Sequence, residues 1–193
     1  GLEYDLRNRS YQPTEGYKSS FYQNIPLISE HNEIVNGFEV NKYHTLVSEM
    51  VGKISFYGRA VNSITGEDVR LSKRISIPGY RLRGFENGKI GPVENGDYVG
   101  GNYATSFNLS TTLPQILPSF ENTDFSLFYD AANVWGVDYD SSINDSNVIR
   151  SAVGIGMDVL TPVGPLNFSF SQPVTKKSSD KTETFRFNIG TTF

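Results

Sequence analysis

The sequence predicts an all-β protein whose antiparallel strands form part of a transmembrane β-barrel. The 193-residue chain contains 11 tyrosines, 13 phenylalanines and 18 glycines, a composition typical of strands and turns. Apolar and polar residues alternate along many segments, which predicts strands with one apolar and one polar face. Short turns also alternate with long polar loops along the chain, as in outer-membrane barrels.

The clearest alternation lies in the C-terminal half, which predicts five strands. Phe185, Phe187 and Ile189 share one face of the last strand with Phe193, whereas Gly190 lies on the opposite face. A glycine has no side chain to pack, so we expect Gly190 to weaken or kink this strand. The five predicted strands cover residues 103–113, 123–135, 149–160, 165–171 and 183–193.

Weaker alternation upstream predicts four more strands, at residues 1–8, 16–25, 38–50 and 52–64. The predicted loops therefore include long ones at 26–37, 65–102, 136–147 and 173–182. Nine antiparallel strands leave the first and last pointing the same way, whereas single-chain bacterial barrels have even numbers of strands. Because the chain also begins at Gly1 without a signal peptide, we interpret it as a fragment.

The alternation also predicts which side chains face outward. An apolar face toward lipid and a polar face toward a lumen fit a membrane barrel. A soluble β-sandwich is the alternative, because its strands alternate in the same way. We expect Phe107, Leu127, Ile155, Phe168, Phe170, Phe187 and Ile189 to face outward, and Ser106, Asp130, Asp158, Ser169 and Arg186 to face inward.

Several function classes find little support in the composition. The net charge is −4 with lysine and arginine spread along the chain, which argues against a nucleic-acid partner. No cysteine is present, so thiol catalysis and Cys-based zinc sites are excluded. His31 and His44 lack further ligands at metal spacing, and no catalytic motif is apparent. We therefore expect neither an enzyme nor a bound cofactor.

The most unusual segment is the long loop at residues 65–102, in which a Pro78-Gly79-Tyr80 turn leads into Arg81-Leu82-Arg83-Gly84-Phe85. Loops of this length are usually functional or disordered, and the aromatic and basic residues favour a packed conformation. In a barrel such a loop can fold into the lumen, where a buried arginine needs a carboxylate. Asp130 is the best candidate because it lies on the polar face of its strand.

Taken together, the motifs resemble the BamA family of outer-membrane protein assembly factors. The resemblance covers the whole chain and implies the C-terminal part of a sixteen-stranded barrel in the bacterial outer membrane. The motifs are Pro13-Thr14-Glu15-Gly16, Leu82-Arg83-Gly84-Phe85, Gly100-Gly101-Asn102, Phe128-Tyr129-Asp130-Ala131-Ala132-Asn133-Val134-Trp135, Thr161-Pro162-Val163-Gly164-Pro165-Leu166 and the terminal segment from Phe185 to Phe193.

The resemblance also implies roles for individual residues. It implies that Arg83, with Gly84 and Phe85, forms a loop tip that is clamped to the barrel through Asp130. A second acid that the family often supplies falls on Ser110 here, so one carboxylate of the clamp is missing. The terminal strand, ending at Phe193, is implied to carry the family's recognition signal and one side of a weakly paired edge.

The implied function is the folding and insertion of β-barrel proteins into the outer membrane without covalent chemistry. The implied partners are unfolded outer-membrane proteins, the lipoproteins of the assembly machinery and the lipid bilayer. Two alternatives stay open: a TamA-type or two-partner-secretion translocation barrel, which shares the Arg-Gly-Phe loop, and a passive pore. A passive pore predicts a lumen lined by charge and no long plugging loop.

Overall fold

A computed structural model describes residues 1–26, 32–47, 50–114, 122–145, 147–162 and 164–190. Nine strands form one antiparallel sheet in which each strand pairs with its neighbour along the chain, apart from a small hairpin within the long loop. The sheet strands are β1 (Leu2–Asp5), β2 (Gly16–Asn24), β3 (Glu33–Val47), β4 (Met50–Ser63), β7 (Tyr103–Thr112), β8 (Thr123–Trp135), β9 (Arg150–Thr161), β10 (Gly164–Thr175) and β11 (Phe185–Ile189). The hairpin consists of β5 (Val93–Glu94) and β6 (Asp97–Tyr98), and short 3₁₀ turns cover Leu71–Lys73 and Gly79–Arg81.

The nine predicted strands of the sheet are confirmed, and their ends differ in two informative places. β3 begins at Glu33, five residues before its predicted start, because residues 33–37 continue the ladder opposite residues 59–63 of β4. The pattern missed this extension because Glu33 and Asn36 interrupt its apolar character. At the other end, β11 stops at Ile189. Gly190 follows it with a φ of +114°, which takes the backbone out of the extended conformation.

The predicted inward and outward faces agree with the register of the sheet. Phe187 lies opposite Phe168, and their ring centroids are 5.0 Å apart on the outer face. Arg186, between two outward residues, lies opposite the buried Ser169 on the inner face. Large apolar side chains on the outer face are exposed throughout the sheet, including Phe56, Phe107, Leu127, Ile155 and Phe170.

The buried core lies on the inner face of the sheet, under the long loop that we call the lumen loop (residues 65–102). Apolar side chains of the lumen loop pack against apolar side chains of the strands. The loop contributes Val69, Ile75, Ile77, Leu82, Phe85 and Ile90, and the strands contribute Val35, Tyr57, Val61, Ala104, Ala132, Val134 and Ala152. Burial of apolar surface is the main force that stabilises a fold. The lumen loop is therefore an integral part of this structure and supplies nearly half of its core.

The connections divide into two rims. One rim contains the links at residues 6–15, 48–49, 113–122 and 162–163. The other rim contains the links at residues 25–32, 64–102, 136–149 and 176–184. The two-residue links lie at the first rim and the longest link, the lumen loop, lies at the second, in keeping with the short turns and longer loops at opposite ends of outer-membrane barrels. β1 and β11 form the two edges of the sheet, which does not close on itself within the described residues. Across those same residues, no helix is long and apolar enough to span a membrane.

Candidate functional site

The tip of the lumen loop, residues 79–85, lies against the inner face of the sheet. The Gly79–Arg81 turn begins at Pro78, whose carbonyl accepts a hydrogen bond of 2.9 Å from the Arg81 N–H. Leu82 and Phe85 are 2% and 1% exposed and anchor the tip in the core. This apolar anchoring brings Arg83, between them, to the wall of the sheet.

Arg83 and Asp130 form the contact that the sequence predicts. Arg83 Nε lies 2.7 Å from Asp130 Oδ2, and Nη2 lies 2.9 Å from Oδ1. The backbone N–H of Arg83 also donates to Oδ2, at 3.1 Å. Asp130 is fully buried on β8, where an unpaired carboxylate would be costly. The two-pronged geometry is the strongest form of arginine–carboxylate pairing, and it joins the loop tip to the sheet.

Two neighbouring side chains complete this pair. The Arg83 guanidinium carbon lies 3.4 Å from the centroid of the Phe128 ring, so the cation rests on an aromatic face. Asn108 Nδ2 donates to Asp130 Oδ1 at 2.8 Å and to the Arg81 carbonyl at 2.7 Å. Asn108 lies opposite Asp130 in the register of β7 and β8. Ser110, where the family resemblance would put a second acid, lies one inward position further along β7, opposite Phe128.

Gly84 is required by both its backbone and its surroundings. Its φ is +90°, a conformation that side chains disfavour. A Cβ on this residue would lie 2.9 Å from the Ala152 Cβ and 3.3 Å from the Ser171 Cβ. The glycine therefore allows the loop backbone to approach β9 and β10 closely.

Sequence reasoning missed a second arginine anchor, Arg81. Its Nη2 lies 2.7 Å from Glu39 Oε2 on β3, and its guanidinium carbon lies 4.2 Å from the centroid of the Tyr57 ring. The signal that could have found it is the inward parity of Glu39 in a predicted strand. Arg81 and Arg83 thus tie the same short tip to strands on opposite sides of it.

The outer end of the lumen loop is held by Asp138, which follows β8. Its carboxylate accepts hydrogen bonds from the Val69 N–H (3.0 Å), Asn102 Nδ2 (2.8 Å) and Arg74 Nη2 (2.5 Å). Partial burial raises the pKa of Asp138, but these hydrogen bonds outweigh it and hold the pKa below its usual value. The carboxylate is therefore ionised at neutral pH, as this network requires.

The residues predicted for the terminal strand lie at the edge of the sheet. Phe185, Phe187 and Ile189 face outward, and β11 pairs with β10 from Leu166 to Phe170. Gly190 lies just beyond the strand, and its N–H donates to the Pro165 carbonyl at 2.9 Å. Phe193 falls outside the described residues.

Beside the loop tip, toward the rim of short turns, the inner face borders a cavity of about 630 Å³. Its charged lining residues are of both signs, and they include Lys53, Asp158, Asp124 and Arg9. No group of three or more histidine or acidic side chains suited to a metal ion occurs in the described part of the chain. The tip therefore closes only part of the inner space and leaves a polar chamber next to it.

Comparison with known proteins agrees with this architecture. Residues 1–193 match the Omp85 superfamily domain. The chain is 30% identical over 132 residues to the outer membrane protein assembly factor BamA of Neorickettsia risticii, an alignment that covers 67% of this chain and 18% of that protein. It is 29% identical over 141 residues to BamA of Neisseria meningitidis, covering 58% of this chain and 17% of that protein.

A solved structure shares this fold. The crystal structure of BamA from Haemophilus ducreyi lacking POTRA domains 1–3 superimposes with a TM-score of 0.87 and 28% sequence identity, covering 96% of this chain and 40% of that one. The chain thus spans less than half the length of the relatives it matches. From its matching domain, its relatives and its fold, the chain belongs to the Omp85 superfamily of outer-membrane proteins and corresponds to the C-terminal part of a BamA-type barrel.

Proposed function

We propose that this chain forms part of the barrel of an assembly factor that folds and inserts β-barrel proteins into the bacterial outer membrane. Two relatives that align with it are named as outer membrane protein assembly factors. The observation that carries the proposal is the lumen loop, whose tip is anchored to the inner wall through Arg83 and Asp130. This docked loop argues against a passive pore, for which we expect no long plugging loop.

The proposed mechanism is physical and needs no covalent chemistry, so we propose that the protein is not an enzyme. β11 pairs with β10 on one side, and its other edge has no partner strand within the described residues. A strand edge presents N–H and C=O groups to which an incoming strand can add. Main-chain hydrogen bonds to this edge would template the first strand of a substrate barrel.

The proposed partners follow from the surfaces of the sheet. Exposed aromatic and aliphatic side chains of the outer face, such as Phe107 and Leu127, suit the hydrocarbon of the bilayer. Unfolded outer-membrane proteins are the proposed substrates at the β11 edge. Lipoproteins of the assembly machinery are the proposed accessory partners, as the family resemblance implies.

The test is reconstitution of the full-length protein and its accessory lipoproteins in liposomes. An unfolded outer-membrane barrel is added, and its folding is followed by the shift in gel mobility between heated and unheated samples. We expect folding to be faster than in empty liposomes, and slower with Arg83→Ala than with Lys18→Ala, which removes an inward cation on β2 that pairs with Glu3 of β1. Transport of a soluble passenger without barrel insertion would indicate a translocation barrel. Ion conductance with neither activity would indicate a passive pore.

A further inference from the structure

Arg186 connects the terminal strand to the lumen loop. It lies on the inner face of β11, opposite Ser169, and its side chain is 10% exposed. Its Nη1 donates to the Gly79 carbonyl, and its Nη2 donates to the Phe85 carbonyl. These two carbonyls lie at the first and last residues of the loop tip, so one guanidinium spans the whole tip.

The guanidinium is held in this orientation by Glu183. Glu183 Oε2 lies 3.0 Å from Arg186 Nε and 2.7 Å from Nη2. A planar guanidinium with five donors can serve a carboxylate and two carbonyls together, which a lysine ammonium does less well. All of these hydrogen bonds join Arg186 to the Glu183 carboxylate or to backbone carbonyls of the loop tip.

The backbone on either side reinforces the connection. The Glu183 N–H donates to the Gly84 carbonyl at 3.1 Å, and Phe85 forms an isolated β-bridge with Thr182. The Glu86 N–H donates to the Lys181 carbonyl at 3.0 Å. The segment that leads into β11 therefore runs along the loop tip before the strand joins β10.

Gly79 lies directly against the Arg186 guanidinium. A Cβ at this position would contact Arg186 Nη1, so the guanidinium would have to shift. The backbone of Gly79 has a negative φ, which alanine also adopts. Gly79→Ala therefore moves the guanidinium relative to the tip while leaving Arg186 itself in place.

We propose that Arg186 is a positioning residue that couples the lumen loop to the edge strand, so that release of the loop tip from Asp130 loosens β11. Within the described residues β11 forms five residue pairs with β10, and the contacts with the tip add to these. Because coupling is reciprocal, binding at the β11 edge would in turn weaken the docking of the tip. The use of that edge by substrate rests on the proposed function, whereas the coupling itself does not.

The test is a double-mutant cycle read by hydrogen exchange in the full-length protein. The amides of residues 185–189 are compared in the wild type, Asp130→Asn, Arg186→Met and the double variant. We expect Asp130→Asn to accelerate their exchange about tenfold when Arg186 is present and less than about threefold when it is absent. Arg186→Lys should restore part of the coupling, and Gly79→Ala should reduce it as Arg186→Met does. Lys18→Met, which removes an inward cation on β2, serves as the control and should leave exchange in β11 unchanged.

Equal acceleration by Asp130→Asn with and without Arg186 would overturn the proposal, and so would unchanged exchange in every variant. If Arg186→Met fails to fold, the cycle is completed with Gly79→Ala, to which the same criteria apply. The readout is independent of assembly activity. Coupled exchange in a protein that does not accelerate barrel folding would therefore refute the proposed function and leave the role of Arg186 intact.

Discussion

Asp130→Asn tests the anchor of the lumen loop most directly, because it removes one charge and almost no volume. Asp130 accepts hydrogen bonds from the N–H, Nε and Nη2 of Arg83 and from Nδ2 of Asn108. Asparagine has one acceptor oxygen in place of two, and its amide group would face donors. The substitution therefore leaves the Arg83 guanidinium without a compensating charge.

The magnitude follows from the burial of the pair. Removing one partner of a buried ion pair costs about 3–5 kcal/mol. The Arg83 side chain is 22% exposed, so hydration offsets part of this loss, and we expect the lower end of the range, about 3 kcal/mol. Since about 1.4 kcal/mol corresponds to a factor of ten, the equilibrium for docking of the tip should shift by about two orders of magnitude.

The assay uses a single cysteine, since the chain contains none. Ser171 is 4% exposed beneath Gly84, and its hydroxyl has no hydrogen-bond partner among the described residues. Ser171→Cys should therefore react with a maleimide only when the tip undocks, and Asp130→Asn should raise its labelling rate about a hundredfold. Ser126→Cys, which lines the polar chamber, is the control and should label at the same rate in both backgrounds. A labelling rate at Ser171→Cys that Asp130→Asn leaves unchanged would refute the anchoring role of this carboxylate.

Four further predictions concern other parts of the molecule. Gly84→Ala should weaken docking of the tip by about 1–3 kcal/mol in the same labelling assay. The effect should exceed that of Gly96→Ala, because Gly96 has a similar φ of +92° but open space around it. Equal effects of the two substitutions would show that packing of the tip against the sheet is unimportant. Phe107→Lys on the outer face should destabilise the protein in lipid vesicles by about 2–4 kcal/mol, as measured by urea unfolding, and a negligible loss would contradict the lipid-facing assignment. The folded-state pKa of Asp138 is depressed, so its stabilisation of the loop should be complete above about pH 4 and be lost at lower pH. Hydrogen exchange of the loop amides, measured as a function of pH, should show this loss. Asp138→Asn should abolish the pH dependence of the exchange. Deletion of Phe193 should slow insertion of the full-length protein while leaving its thermal stability unchanged, whereas normal insertion with lowered stability would identify it as an interface anchor.

The sequence by itself determined the strands and their faces. Alternation has a period of two in any strand, so the outward position of Phe187 and the inward positions of Arg186 and Asp130 follow from parity alone. Parity also placed Asp130 inside as the carboxylate for a buried arginine of the loop, whereas the choice of Arg83 as that arginine came from the family resemblance. In β3 the sequence failed to predict the extension to Glu33, since cross-strand pairing with β4 overrides a weak apolar pattern there.

The path of the lumen loop was decided only by the tertiary structure. Nothing in the local sequence indicates that the Gly79 and Phe85 carbonyls meet Arg186 more than a hundred residues later, or that Arg81 reaches Glu39 on β3. That Asn108 is the β7 residue opposite Asp130 is likewise decided by the register of β7 and β8. Periodicity in the sequence predicts which face of a strand a residue occupies. The contacts across the inner space depend instead on strand order, register and loop packing, because these are properties of the folded chain as a whole.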